Sequence, residues 1–164
     1  MKILPGTGPS SLLQAFLDVT RWRASGQDRL GRRQPIALFP LETGGCEGCA
    51  MEVSALAGSA FALEQHGFCL VSEPEDADWL LVTGPVTRAS ADALDRNWRA
   101  MPRGRSLVAV GDCAISGGPF TTNYAVLGGL DKLASVRMQV PGCPPSPQDL
   151  LLGLEALATG QVRT

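Results

Sequence analysis

Apolar residues along this chain fall in short unbroken runs, separated by longer stretches with a helical period. Ile36 to Leu41, Phe68 to Val71, Trp79 to Thr83, Ser106 to Val110 and Val136 to Val140 each read as a strand. Runs without polar alternation suit strands that are covered on both faces. Pro40 has no N–H for a ladder, so it is expected at the end of the first strand or at a bulge. Met51 to Gln65, with Met51, Leu56, Ala60 and Leu63 at helical spacing, predicts a helix that His66-Gly67 closes. Ala89 to Met101 predicts another, stopped by Pro102-Arg103-Gly104. Ser146-Pro147-Gln148 places a cap and an early proline before a last helix that runs to about Ala158. Gly111 to Gly118 reads as a loop of small residues. Tyr124 to Gly129 has no clear period and comes closest to a short helix.

Strand and helix alternate, so the expected fold is α/β: a flavodoxin-like parallel sheet of order 2-1-3-4-5 with helices on both faces. The link between the second and third strands is short for a full crossover helix. Residues 1–35 stand apart as an N-terminal helical arm and linker, in which Leu12, Leu13, Phe16 and Leu17 form an apolar stripe suited to docking on a partner. Residues 36–160 form the α/β domain.

The chain of 164 residues is 45% hydrophobic and 18% charged, the size of one domain that buries roughly 70% of its unfolded surface. A net charge of -2 offers no broad footprint for nucleic acid, although Arg21, Arg23, Arg29, Arg32 and Arg33 make the arm locally basic. Met1-Lys2-Ile3-Leu4-Pro5-Gly6 lacks the sustained apolar core of a secretory signal. No run approaches the roughly 18 apolar residues of a membrane span. The expected location is the cytoplasm, or the cytoplasmic face of a membrane as a peripheral subunit.

Three glycine-rich turns carry four of the five cysteines: Gly44-Gly45-Cys46-Glu47-Gly48-Cys49, Gly111-Asp112-Cys113 and Pro141-Gly142-Cys143-Pro144-Pro145. Each follows an apolar strand. In an open parallel sheet the carboxyl ends of the strands share one edge, and ligands bind in the crevice outside it. Cys46, Cys49, Cys113 and Cys143 are therefore expected to converge. Thiols do not persist as structural disulfides in a reducing compartment, so clustered cysteines point to metal or redox chemistry. One 4Fe-4S cluster takes four thiolates, one per iron, which suits ligands delivered from several directions. A four-cysteine zinc site in an interaction module and thiol redox chemistry are the alternatives at this stage. Cys69, inside an apolar strand, reads as a small buried hydrophobe, and His66, the only histidine, as a helix-end residue. Trp79 and Trp98 read as core or partner contacts. The chain carries no Ser-His-Asp arrangement, phosphate-binding glycine loop or His-rich metal set. The loop after Leu41 also lacks the Ser/Thr-rich cradle expected of an FMN site.

Cys46-Glu47-Gly48-Cys49-Ala50-Met51-Glu52, Val82-Thr83-Gly84-Pro85-Val86-Thr87, Gly111-Asp112-Cys113 with Gly117-Gly118, and Val140-Pro141-Gly142-Cys143-Pro144-Pro145 form a specific set. Together they resemble the 20 kDa subunit family of respiratory complex I and the related small subunits of energy-converting, membrane-bound nickel-iron hydrogenases, formate hydrogenlyase included. The resemblance covers about Ile36 to Ala158 and leaves out the arm. It implies one 4Fe-4S cluster on Cys46, Cys49, Cys113 and Cys143, proximal to an active site in a partner large subunit. Electrons would pass between that site and the clusters of a ferredoxin-like subunit. Membrane subunits would be reached indirectly, and this chain would hold no nickel. Complex I subunits carry two adjacent cysteines where this chain has C-x-x-C, as in the hydrogenase branch. A complex I-like subunit that passes electrons to quinone is the alternative. Hydrogenase relatives commonly read Cys-Asn-Gly-Cys-Asp, so Glu47 and Ala50 depart from the pattern, at positions expected to face the large subunit. Glu52 matches a family glutamate and is implied in proton transfer or at the interface.

Overall fold

The computed structural model describes residues 34–120 and 122–161. The arm and its stripe, Leu12, Leu13, Phe16 and Leu17, lie outside these residues.

Five strands form one parallel sheet: β1 (Ile36–Glu42), β2 (Phe68–Leu70), β3 (Trp79–Thr83), β5 (Ser106–Val110) and β7 (Met138–Val140). Their spatial order is β2-β1-β3-β5-β7. Counted by the strands of this sheet alone, that is the expected 2-1-3-4-5. A separate two-stranded antiparallel ribbon joins β4 (Val86–Thr87) to β6 (Val126–Gly128). The helices are α1 (Gly48–Ala55), α2 (Arg88–Ala100), α3 (Asp112–Ser116) and α4 (Pro147–Ala158).

The sheet is buried on both faces. Ile36, Leu38, Leu81, Val108 and Val110 pack with Val53, Leu56, Leu150, Leu151 and Leu154 on one face. On the other, Leu80, Val82, Leu107 and Ala109 pack with Val86, Ala114 and Leu130. Successive side chains of a strand point to opposite faces, so a strand buried on both must be apolar throughout. All five residues of β3 are buried.

Pro40 departs from expectation, with two further strand residues beyond it. The even-numbered residues of β1 face β2: Ile36 N–H donates to Gly67, and the Leu38 carbonyl accepts from Val71. Pro40 continues that side two residues later, where β2 has already ended at Leu70, and it pairs with Leu81 of β3. Its missing N–H would have met no strand.

Four other elements differ from the sequence reading. The helix predicted over 51–65 starts earlier and stops at Ala55. Beyond it the chain turns back through Ala57 and Gly58, Leu63 N–H reaches the Leu56 carbonyl, and a 3-10 turn follows at Leu63–His66. Folding back buries both leucines, a gain that a continuous exposed helix would forgo. Met51, read as part of the apolar face, is 69% exposed. The loop after β5 contains the short helix α3, and the stretch read as a short helix contains strand β6, paired to β4 from about 40 residues away. The last strand begins at Met138. The link from β2 to β3 is short as expected, with only a 3-10 turn, Pro74–Asp76, in place of a crossover helix.

α2 starts at a capping box: the Thr87 hydroxyl accepts from Ser90 N–H and the Ser90 hydroxyl accepts from Thr87 N–H. α4 starts as expected, with the Ser146 hydroxyl accepting from Asp149 N–H and Pro147 in the first turn. Buried His66 meets Glu155 of α4, Nδ1 to Oε1, at 2.8 Å. Trp79 is buried in the core, while Trp98 is half-buried beneath the Arg105 guanidinium, 4.6 Å from its ring centroid.

Candidate metal centre

The carboxyl ends of β1, β3, β5 and β7 open onto a cleft of about 50 Å³ that Cys46, Cys49, Cys113 and Cys143 line together. All four thiols are free, Cys46 and Cys143 exposed and Cys49 and Cys113 half-buried. Cys69, the fifth, is half-buried on β2 and does not line this cleft.

Each cysteine arrives by a different local device. Cys46 precedes α1 and Cys49 sits in its first turn. Glu47 at the N-cap adopts a left-handed conformation, φ 66°, and gives no side-chain cap, so the first-turn N–H groups next to both thiols receive no side-chain acceptor there. Cys113 lies in the first turn of α3. Cys143 sits in the loop between β7 and α4, which is tied to α3: Gly142 N–H donates to Asp112 Oδ1 and Asp112 N–H donates to the Gly142 carbonyl, both at 2.9 Å.

A platform lies beneath the first loop. The Thr43 hydroxyl donates to the carbonyls of Thr83 and Gly84, each at 2.9 Å, and the Thr87 hydroxyl donates to the Thr43 carbonyl at 3.2 Å. Gly84, at φ +78°, lies so close that an added Cβ would stand 2.8 Å from the Gly44 carbonyl. Two backbones touch there, which only glycine allows.

The electrostatics oppose ionisation of the bare site. The Cys49 thiol is pushed up from 9.0 to about 11, first by burial, then by Cys113, Cys46 and Cys143, and last by Asp112. Cys113 is also raised, by burial first, then by Cys143, Cys46 and Asp112 and by a hydrogen-bonding contact with Cys143. Four thiolates here would repel one another, and a polycationic centre relieves that repulsion. Among the described residues, no group of three or more His, Cys, Asp or Glu is placed to hold a single metal ion.

Sequence reasoning missed Thr43 beneath the first loop and the exposed carboxylate Glu42 at the cleft; it quoted Thr83 and Asp112 within motifs without giving them a role, and it placed Glu47 facing a partner. The polar residues among these take their meaning from contacts some 30–40 residues away, which no local pattern signals. Glu52 is half-buried on α1 and is not among the residues lining the cleft. His66 lies in the core beside α4, away from the four thiols.

The fold and the site define a doubly wound α/β domain built around a four-thiol centre at its carboxyl edge. The chain belongs to the NADH ubiquinone oxidoreductase, 20 Kd subunit family, whose model matches residues 46–157. It is 41% identical over 122 residues to an uncharacterized protein of Methanocaldococcus jannaschii, covering 74% of this chain and 82% of that one. It is 40% identical over 123 residues to formate hydrogenlyase subunit 7 of Escherichia coli, covering 75% of this chain and 48% of that protein. The chain thus spans about half of the E. coli subunit. Two solved structures share the fold. One is the membrane-bound sulfane sulfur reductase, an archaeal respiratory membrane complex, with TM-score 0.66 and 24% identity over 84% of this chain and 76% of that one. The other is an NAD+-reducing [NiFe]-hydrogenase in the H2-reduced state, with TM-score 0.60 and 21% identity over 77% and 93%. Among the described residues no helix is long and apolar enough to cross a membrane.

Proposed function

We propose that this chain is the electron-transfer small subunit of a membrane-associated, multisubunit oxidoreductase of the nickel-iron hydrogenase type, with one 4Fe-4S cluster held by Cys46, Cys49, Cys113 and Cys143. The observation that carries this reading is the convergence of those four thiols on one cleft at the sheet edge. A single zinc ion, with sulfurs about 2.3 Å away, needs them within about 4 Å of one another. A 4Fe-4S cluster takes one thiolate per iron and so accepts a wider spacing. When bound, it supplies a one-electron carrier.

The chain's own contribution is placement and environment. The glycine turns let backbone come close to the sulfurs, and the half-buried setting of Cys49 and Cys113 keeps water partly away. The 40% identity to a formate hydrogenlyase subunit and the C-x-x-C spacing favour the hydrogenase branch. On this reading the large subunit holds the catalytic site and covers the cleft, and a ferredoxin-like subunit exchanges electrons. Membrane subunits associate indirectly, and the complex lies on the cytoplasmic face. Glu52, half-buried on α1, is assigned to proton transfer or the subunit interface, and residues 1–35 to a docking arm.

The test is iron, zinc and acid-labile sulfide content, with low-temperature EPR after reduction, on protein purified anaerobically with its copurifying subunits. The expected result is about four irons and four sulfides per chain and a reducible cluster signal. Nickel in a copurifying large subunit supports the hydrogenase assignment. One zinc and no iron overturns the electron-transfer reading.

A further inference from the structure

The two-way contact between Asp112 and Gly142 joins the residue before Cys113 to the residue before Cys143. Gly142 N–H donates to the Asp112 carboxylate, Asp112 N–H donates to the Gly142 carbonyl, and one step earlier Gly111 N–H donates to the Val140 carbonyl at 2.8 Å. The Asp112–Gly142 contacts span 30 residues of sequence. The second loop has few internal amides with which to order itself, since Pro141, Pro144 and Pro145 have none. The carboxylate is held between two of the thiol-bearing residues: Asp112 adjoins Cys113 in sequence, and the Gly142 it binds adjoins Cys143.

We propose that Asp112 is a positioning residue with two separable effects: its carboxylate oxygen fixes the spacing of Cys113 and Cys143, and its negative charge beside the thiols lowers the reduction potential of the centre they hold. The second effect rests on the iron-sulfur reading above, and the first does not. The physical basis is simple. The bond from Gly142 N–H to a charged acceptor adds to the backbone ties a side-chain hold on a loop with few amides of its own. A fixed negative charge disfavours adding an electron to a nearby cluster, whose potential depends on local charge and hydrogen bonding.

Asp112→Asn keeps an acceptor oxygen and removes the charge, whereas Asp112→Ala removes both. Hydrogen exchange by mass spectrometry on the peptide over 140–146 of the full chain reads the clamp, because among residues 141–145 only Gly142 and Cys143 carry amides. With the clamp, exchange is slow in the unaltered chain and in D112N and about tenfold faster in D112A, the size expected for one lost hydrogen bond. Fast exchange in the unaltered chain, or equal exchange in D112A, overturns the clamp. If D112A does not fold, slow exchange in D112N still supports the clamp and fast exchange overturns it.

EPR-monitored redox titration of protein purified with its copurifying subunits reads the charge. D112N is expected to shift the oxidised-to-reduced equilibrium about tenfold towards reduction, an upward move of about 59 mV for one electron, at unchanged iron content. An unmoved potential overturns the electrostatic role. Absence of iron from the unaltered protein overturns it together with the cluster assignment, while hydrogen exchange still decides the clamp.

Discussion

Gly111 and Cys49 approach so closely that a Cβ added to Gly111 would stand 2.6 Å from the Cys49 sulfur. Gly111 directly follows β5, at φ +83°, and is buried. The strand end and the first cysteine loop therefore share a space that no larger residue fits. Gly111→Ala combines a disfavoured backbone conformation with this clash. It is expected to displace Cys49 and, on the proposed cluster assignment, to reduce the iron content of the purified protein by at least half, which metal analysis measures directly.

Thr43 anchors the same loop from below through two carbonyls of the adjacent turn. Thr43→Val keeps the shape and loses the donor, leaving buried carbonyls less well satisfied. The expected cost is about 1–3 kcal/mol, read as a lower midpoint in denaturant unfolding with an unchanged slope. An unaffected midpoint would show that the turn does not depend on this hydroxyl.

The raised Cys49 thiol gives the metal-free chain a defined pH dependence. Its pKa is 9.0 in the reference state and about 11 in the folded site, so between these values the folded form holds a proton that the unfolded form has released. The stabilising contribution is complete below pH 9 and lost as pH rises towards about 11. Unfolding of the metal-free, reduced chain should accordingly become easier across that window, and Cys49→Ser should flatten the trend. Chemical denaturation at a series of pH values, in chelator and reductant, checks it.

His66 and Glu155 link the turn before β2 to α4 across the core. Glu155→Ala removes a short contact to a side chain that is only 1% exposed. A loss of about 1–3 kcal/mol is expected, visible as a lower thermal midpoint. The contact lies in the core rather than at the cleft, so metal content per folded chain should not change. A fall in metal content at an unchanged midpoint would contradict the purely structural role given to His66.

Buried parallel strands have to be apolar on both faces, and for that reason β1, β2, β3 and β5 were legible as unbroken hydrophobic runs. The cysteine turns were legible for a related reason. A chain leaving a buried strand needs polar or glycine-rich turn chemistry, and in a parallel sheet all such exits lie at one edge. Residue order alone therefore brought Cys46, Cys49, Cys113 and Cys143 to the same side. The helices that begin at Thr87 and Ser146 were marked in the same local way, by hydroxyl caps whose partners lie three residues on.

Other features depended on contacts that no short window contains. β6 is a strand because Val86 and Thr87 supply it with a partner. α1 ends at Ala55 because folding back buries Leu56 and Leu63 together. Pro40 is tolerated inside β1 because β2 stops two residues short of it. The Asp112–Gly142 clamp likewise exists only once β5 and β7 lie side by side. By itself the sequence determined the sheet, its exposed edge and the four thiols delivered there. The tertiary structure decided how far apart those thiols stand and which polar groups hold them, because those distances follow from long-range packing and not from local propensity.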